Sequence, residues 1–371
     1  MVNEKRLVDM FVRLVEIDSL SKHEGKIKDF IKNHFTARGL SVEEDDAANL
    51  INGQSGNLLV KVAGTVNKPP LLFAAHMDTV KPGIGIKAVI GDDMIIRSQG
   101  DTILGSDDKA AIAALLEVYD VIAEQNLSHP PLELLFTVGE EHGLMGAKIF
   151  NFDRLEAKIG YVLDDGNDPG TIVIKSPCQN EIDYYIKGCA AHAGMNPEKG
   201  INAILLAAKA LAVMPNGRID EDTTCNFGLI KGGLARNIVA PYCHIKGEAR
   251  SQTREKLDQL TLKLEKIFIN EIEKLGGEAE VYVKFLYPEI SLKPEEEVVK
   301  RAMRAISKLR LEPRFAATGG GSDANIINGR GIRCANLGVG MKNVHTTDEY
   351  ISIAHLVQDV QIILEIIKES C

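Results

Sequence analysis

Five times along this 371-residue chain a carboxylate or an imidazole stands at the end of an apolar stretch: His76-Met77-Asp78, Asp107-Asp108, Glu140-Glu141, Asp164-Asp165 and His345. Each stretch reads as buried structure, where an unpaired charge is strongly unfavourable. A shared cation removes that penalty. Two histidines with several Asp and Glu are the donors that a hydrolytic centre with two metal ions needs. A fold that satisfies this pattern must bring distant strand ends to one place. Open α/β sheets do so, because their sites gather beyond the carboxyl ends of the strands.

The chain is long enough for such a fold, and its length predicts two domains with ample core. Hydrophobic residues make up 45% and charged residues 26%, as in a globular protein. A formal net charge of −9 argues against nonspecific nucleic-acid binding. No apolar run approaches the ~20 residues of a membrane span. The opening MVNEKRLVDMFVRL lacks a signal core and reads as an amphipathic helix with Leu7, Met10, Phe11, Leu14 and Val15 on one face. A cytoplasmic location is expected. The six cysteines (178, 189, 225, 243, 334 and 371) form no C-x-x-C pair and read as reduced thiols.

Strand and helix patterns alternate at first. Asn57–Ala63, Leu71–Ala75, Leu132–Val138 and Gly160–Leu163 read as strands, and Ala110–Ile122 as a helix. Continuous apolar strands separated by helices predict a largely parallel, doubly covered sheet. From about Lys175 the order becomes strand (Glu181–Cys189), helix (Gly200–Met214, started by Asn196-Pro197), strands (Asn226–Lys231 and Cys243–Arg250), helix (Arg254–Leu275, ended by Gly276-Gly277) and strand (Glu280–Leu286). This β-α-β-β-α-β order is a split βαβ unit. After Pro288 the α/β pattern resumes: a helix near Glu295–Leu309, strands at Phe315–Thr318 and Cys334–Gly338, and a helix Ala354–Ile367. The expected organisation is one α/β domain, residues 1–176 and 288–371, interrupted by a small domain of residues 177–287.

Within the signals, His76 reads as a metal ligand, with Asp78 two residues on as the carboxylate that orients its ring; a purely structural His–Asp pair is the other reading. An Asp at the mouth of a helix is an ordinary cap, yet Asp107 and Asp108 are two; one carboxylate bridging two metals accounts for the second. Of Glu140 and Glu141, one can bind metal while the other serves as general base. Asp164-Asp165 adds a fourth acidic strand end. His345, in NVHTTDEY, is either an ordinary loop histidine or the second nitrogen ligand that such a centre needs. His192, in the small domain, lies among small residues and reaches such a site only across a dimer or after domain closure; a plain surface histidine is the other reading. Gly319-Gly320-Gly321-Ser322-Asp323 exposes backbone N–H groups suited to an anion or a carbonyl, or is a tight turn in which Ser322 or Asp323 caps the next helix.

In order, AAHMDTV, LGSDDKAAIAALLE, FTVGEEHGLMGAK, YVLDDG, AAHAGMNPEKGINAI, GGLARNIVAP, GEARS, GGGSDAN and NVHTTDEYIS span nearly the whole chain. In these motifs the sequence resembles the co-catalytic metallopeptidases of the aminoacylase, carboxypeptidase G and peptidase T superfamily, and peptidase T-like members most. The resemblance implies a phosphorylase/hydrolase-like zinc-peptidase catalytic domain with an inserted ferredoxin-like α+β lid and dimerisation domain. It implies two divalent ions, zinc by default with Co²⁺ or Mn²⁺ fitting the same donors. His76 and Asp164 would bind one ion and Glu141 and His345 the other, with Asp107 bridging across a cis Asp107–Asp108 bond. Asp78 would orient His76, and Glu140 would be the base. His192 would polarise the substrate carbonyl from the lid of a partner subunit in a homodimer. Asn237, Arg250, Gly320 and Ser322 would contact substrate. The reaction implied is amide hydrolysis of small peptides by an aminopeptidase of tripeptidase type. The alternatives are deacylation of N-acyl amino acids at the same site, or a non-catalytic metal-binding dimer. At the glycine turn this chain departs from well-known tripeptidases, with Ala317-Thr318 where they carry an arginine.

Overall fold

Leu71–His76 and Leu132–Thr137 are buried at every position. Strands with no exposed face need neighbours on both edges and cover on both sides. In the computed structural model, which describes residues 1–371, Leu132–Thr137, Leu71–His76, Ile159–Asp165 and Arg333–Gly338 lie side by side in parallel. At the margins the direction reverses. Leu58–Val62 runs antiparallel to Leu132–Thr137, and Thr171–Ser176 antiparallel to Arg333–Gly338. The parallel sheet read from the apolar runs is thus the centre of a mixed one. Only five residues separate Ile159–Asp165 from Thr171–Ser176, too few for the crossover that a parallel return requires.

The helix Ser106–Gln125 packs on this sheet and is itself packed by Glu4–Val15 and Ile353–Lys368. Covered on several sides, it is apolar almost all round and buried from Lys109 to Ile122. Glu4–Val15 is anchored by Arg6, whose Nε and Nη2 donate to the buried Glu117 carboxylate at 2.6 and 2.9 Å. A small antiparallel sheet of Ala88–Ile90, Ile95–Ser98 and Tyr350–Ser352 was not anticipated; its strands are too short to show a period.

The chain divides into two compact units. The first comprises Met1–Ile174, Leu292–Thr318 and Ser322–Cys371; the second comprises Lys175–Ser291 with Gly319–Gly321. In the second, the antiparallel sheet order is Gly217–Arg218, Thr223–Gly232, Tyr242–Ser251, Cys178–Lys187 and Glu278–Tyr287. Ile182, Tyr184 and Ile186 point into a core shared with the helices Ala203–Val213 and Arg254–Lys274, while Glu181, Tyr185 and Lys187 are exposed. This alternation is that of a sheet with one wet face. The connectivity is the ferredoxin-like β-α-β-β-α-β order. One boundary is corrected: the first helix starts at Ala203, because the Asn202 side chain accepts from the Ile204 and Leu205 N–H groups. Asn196-Pro197 opens only a 3-10 turn, since Ile201 is held extended by paired backbone bonds with Cys189.

Candidate metal centre

The strand Leu71–His76 ends with His76 at the carboxyl edge of the parallel sheet, where the ring is only 2% exposed. Its Nε2 lies 3.0 Å from Asp107 Oδ1 and 3.9 Å from Asp164 Oδ1. Its Nδ1 lies 2.9 Å from the backbone oxygen of Asp78, with the Asp78 carboxylate farther away at 3.5 Å. That carboxylate has another task. Oδ1 accepts from the Glu140 N–H at 2.9 Å, and Oδ2 accepts from the Glu141 N–H at 3.2 Å and the Ser21 hydroxyl at 2.6 Å. Asp78 therefore fixes the Glu140–Glu141 backbone, and its main-chain carbonyl rather than its side chain meets the imidazole most closely.

Asp107 and Asp108 follow a left-handed Gly105 and are joined by a cis peptide bond. Their side chains diverge. Asp107 turns Oδ1 to His76 and Oδ2 to His345 Nε2, the latter at 3.3 Å. Asp108 is fully buried; its Oδ2 accepts from the His76 N–H at 3.1 Å, and its Oδ1 has no partner. Glu141 Oε1 lies 2.7 Å from His345 Nε2. Donor atoms of His76, Asp107 and Glu141 all lie within 4.8 Å of one another, as do those of His76, Glu140 and Asp164. The four strand-end signals and His345 are thus gathered at one place.

The charges here do not balance. Burial, helped by Asp107 and Glu140, pushes the Asp164 carboxyl well above its usual range. Burial also raises Glu140 well above its usual range, helped by Asp323 and Glu141. Asp323 itself is pushed up to about 6 by burial. His76 is disfavoured as a cation by burial, yet the Asp107 and Asp78 carboxylates raise it well above the ordinary imidazole value. Asp107 and then Glu141 raise His345 to about 10. Two imidazolium groups face more carboxylates than they can neutralise, so protons or cations must supply the remainder. Divalent ions fit. Donors ~2.0–2.2 Å from a tetrahedral ion stand ~3.3 Å apart. The His76–Asp107, Asp107–His345 and His345–Glu141 separations of 3.0, 3.3 and 2.7 Å lie at or somewhat below that value.

Three supporting groups had no signal in the sequence. The buried Glu349 accepts from Gly105, Ser106 and Asp107. The Asn336 side chain exchanges two hydrogen bonds with the Asp164 backbone, at 2.9 and 2.8 Å. Glu24, fully buried, accepts from the Gly139 N–H at 3.1 Å, one residue before Glu140. All three act through long-range contacts to the main chain, which leave no periodicity.

In the second unit, His192 is exposed and bridges to Ile238, so that it neighbours Asn237, whose carbonyl accepts from the Ala193 N–H. Arg250 donates twice to Glu248 and once to the Gly319 carbonyl, at 3.1 Å. The Gly320 carbonyl accepts from the Ser176 hydroxyl. A Cβ on Gly321 would lie 2.3 Å from the Tyr287 ring, so this glycine is needed for close packing. Ser322, in the first unit, is buried at the N-cap of the helix Asp323–Gly329, where its N–H donates to the Asn325 side chain. The capping role weighed for Ser322 is the one its geometry fills.

The sequence profile of peptidase family M20/M25/M40 matches residues 72–369. An aminopeptidase PepT from Bacillus cereus ATCC 10987 is 42% identical, covering 100% of this chain and 99% of that one, with a TM-score of 0.92. A tripeptidase from Staphylococcus aureus Mu50 is 43% identical, covering 99% of this chain and 98% of its own, with a TM-score of 0.95. An uncharacterised protein, YqjE, of Bacillus subtilis strain 168 is 42% identical over 370 residues, all of both chains.

Proposed function

The chain belongs to peptidase family M20/M25/M40 and is a metallopeptidase, and from that premise we propose that it is an aminopeptidase of tripeptidase type using two divalent cations, zinc by default. The observation that carries the reading is Asp107, with one carboxylate oxygen toward His76 and the other toward His345. In this reading His76 and Asp164 hold one cation, Glu141 and His345 hold the second, and Asp107 is shared. Cations held there would supply a water of lowered pKa and a Lewis acid for the scissile carbonyl.

The chain's own residues supply the rest. Glu140 takes the proton of the attacking water and later delivers it to the leaving amine. Its support is a backbone fixed by Asp78 and a carboxyl whose proton affinity burial raises. His192, exposed on the second unit, donates to the developing oxyanion from a second copy of the chain. Asn237 and Arg250 orient the peptide. A homodimer through the second unit is supported by the strand Thr223–Gly232, which Gly217–Arg218 pairs only at Thr224 and Cys225. The rest of that edge carries Leu229 and Ile230, 60% and 54% exposed, an arrangement that invites pairing with another chain. No helix is long and apolar enough to cross a membrane. The likeness to a tripeptidase and an aminopeptidase at 42–43% identity favours tripeptides over N-acyl amino acids as substrates.

The test is turnover of tripeptides, dipeptides and N-acetyl amino acids by metal-loaded protein, with Glu140→Gln beside it. Tripeptides should lose their N-terminal residue, and the variant should fall ~10²–10⁴-fold while retaining both equivalents of metal. An active Glu140→Gln variant removes Glu140 from its role. Cleavage of N-acetyl amino acids alone replaces the substrate class. Full metal loading with no amide hydrolysis leaves only a binding scaffold.

A further inference from the structure

Glu349 is 1% exposed and stands four residues after His345. Its carboxylate collects four donors from one short segment. Oε2 accepts from the Gly105 N–H at 2.8 Å. Oε1 accepts from the Ser106 N–H at 2.7 Å, the Ser106 hydroxyl at 2.5 Å and the Asp107 N–H at 3.3 Å. The simple account is a structural cap: Asp107 and Asp108 are not helical, so the N–H groups of Gly105–Asp107 have no intrahelical partners, and a buried carboxylate satisfies them.

Capping does not explain where the cap comes from. The acceptor belongs to the loop that carries His345, and one of its donors is the backbone of Asp107. Asp107 Oδ2 and His345 Nε2 face each other at 3.3 Å. The two segments are remote in sequence, and Glu349 bonds directly to one and is four residues from the other.

We infer that Glu349 is a positioning residue that sets the separation of Asp107 from His345, and so governs cation binding at both places without touching a cation. This rests on the two-cation reading above. An amide in its place keeps the reach but turns an N–H donor toward the N–H groups of the Gly105–Asp107 segment. Glu349→Gln therefore shifts that segment, and with it the donor that both cations share. Ser106→Ala removes only the hydroxyl donor and leaves the backbone bonds.

The experiment measures Zn²⁺ affinity by chelator competition and the visible spectrum of the Co²⁺-loaded protein, for wild type, Glu349→Gln, Glu349→Asp and Ser106→Ala. Glu349→Gln should weaken both equivalents ~10–100-fold and alter the Co²⁺ bands, and Ser106→Ala should stay within about threefold of wild type. A purely structural cap would lower the melting temperature but leave affinity and spectrum unchanged in the folded variant; that result overturns the inference. Should Glu349→Gln fail to fold, Glu349→Asp carries the test. It keeps the charge with a carboxylate one methylene short, and wild-type affinity with a wild-type spectrum there is equally fatal. The stoichiometry of the wild type reports separately on the two-cation reading, since fewer than two equivalents would end that reading whatever the variants do.

Discussion

Replacing Asp78 by Asn tests whether this carboxylate works through the Glu140–Glu141 backbone. Asp78 is fully buried and accepts from Glu140 N–H, Glu141 N–H and the Ser21 hydroxyl. Asn offers one oxygen. If it serves Glu140, the amide nitrogen faces Ser21 and Glu141; the hydroxyl can turn to accept, but the Glu141 N–H cannot. Two bonds survive as neutral ones, each weaker by ~1 kcal/mol, and one buried N–H is orphaned at ~1–3 kcal/mol, giving ~3–5 kcal/mol in all. Urea unfolding of the metal-free protein reads this as a lower midpoint at unchanged slope. In the metal-loaded enzyme the same change lets Glu140 and Glu141 move. If Glu140 is the base proposed above, a displacement of about 1 Å there costs ~10²-fold in kcat, and KM should change little. Asp78→Ala, which loses all three acceptors, should be worse in both assays. The reasoning fails if Asp78→Asn keeps its urea midpoint and its kcat to within about threefold, or if Ala is the milder change.

Two further outcomes follow from the geometry. In the metal-free protein His345 is raised to about 10 by Asp107 and Glu141. A raised imidazole adds stability that is complete below its unfolded value of about 6.5 and disappears as pH climbs through about 10. Melting temperatures of chelator-treated protein should fall across that window more steeply for wild type than for His345→Asn; because His345 is half exposed the difference is small, and parallel curves would refute it. Gly321→Ala places a Cβ 2.3–2.7 Å from the Tyr287 ring in the second unit and should destabilise that unit by ~1–3 kcal/mol. Tyr287→Leu in the same chain relieves the clash but gives up the 2.6 Å bond from the Tyr287 hydroxyl to Gln179, so only part of the loss should return; a neutral Gly321→Ala would show that the turn has room.

The parts legible in the sequence share one physical cause. Strands buried on both faces leave continuous apolar runs, so Leu71–His76 and Leu132–Thr137 could be read with little error at their ends. Carboxylates and imidazoles break off such runs, so His76, Asp107, Glu141 and Asp164 stand out by contrast with their neighbours. Roles set by hydrogen bonding to the main chain are different. Strand alternation places Asp78 beside the His76 ring, and its carboxylate lies 3.5 Å from Nδ1; the closer bonds that it accepts from the Glu140 and Glu141 N–H groups bear no mark in the sequence. The Asn-Pro signal before residue 200 was sound locally and lost to the backbone pairing of Ile201 with Cys189. Glu349 binds segments 242–244 residues away and looks, in NVHTTDEY, like any loop glutamate. Its partners are N–H groups, which every residue but proline carries, so the sequence around them bears no mark of the contact. The groups proposed to hold a cation are therefore visible by residue type, while the groups that hold their backbone become visible only when the chain is folded.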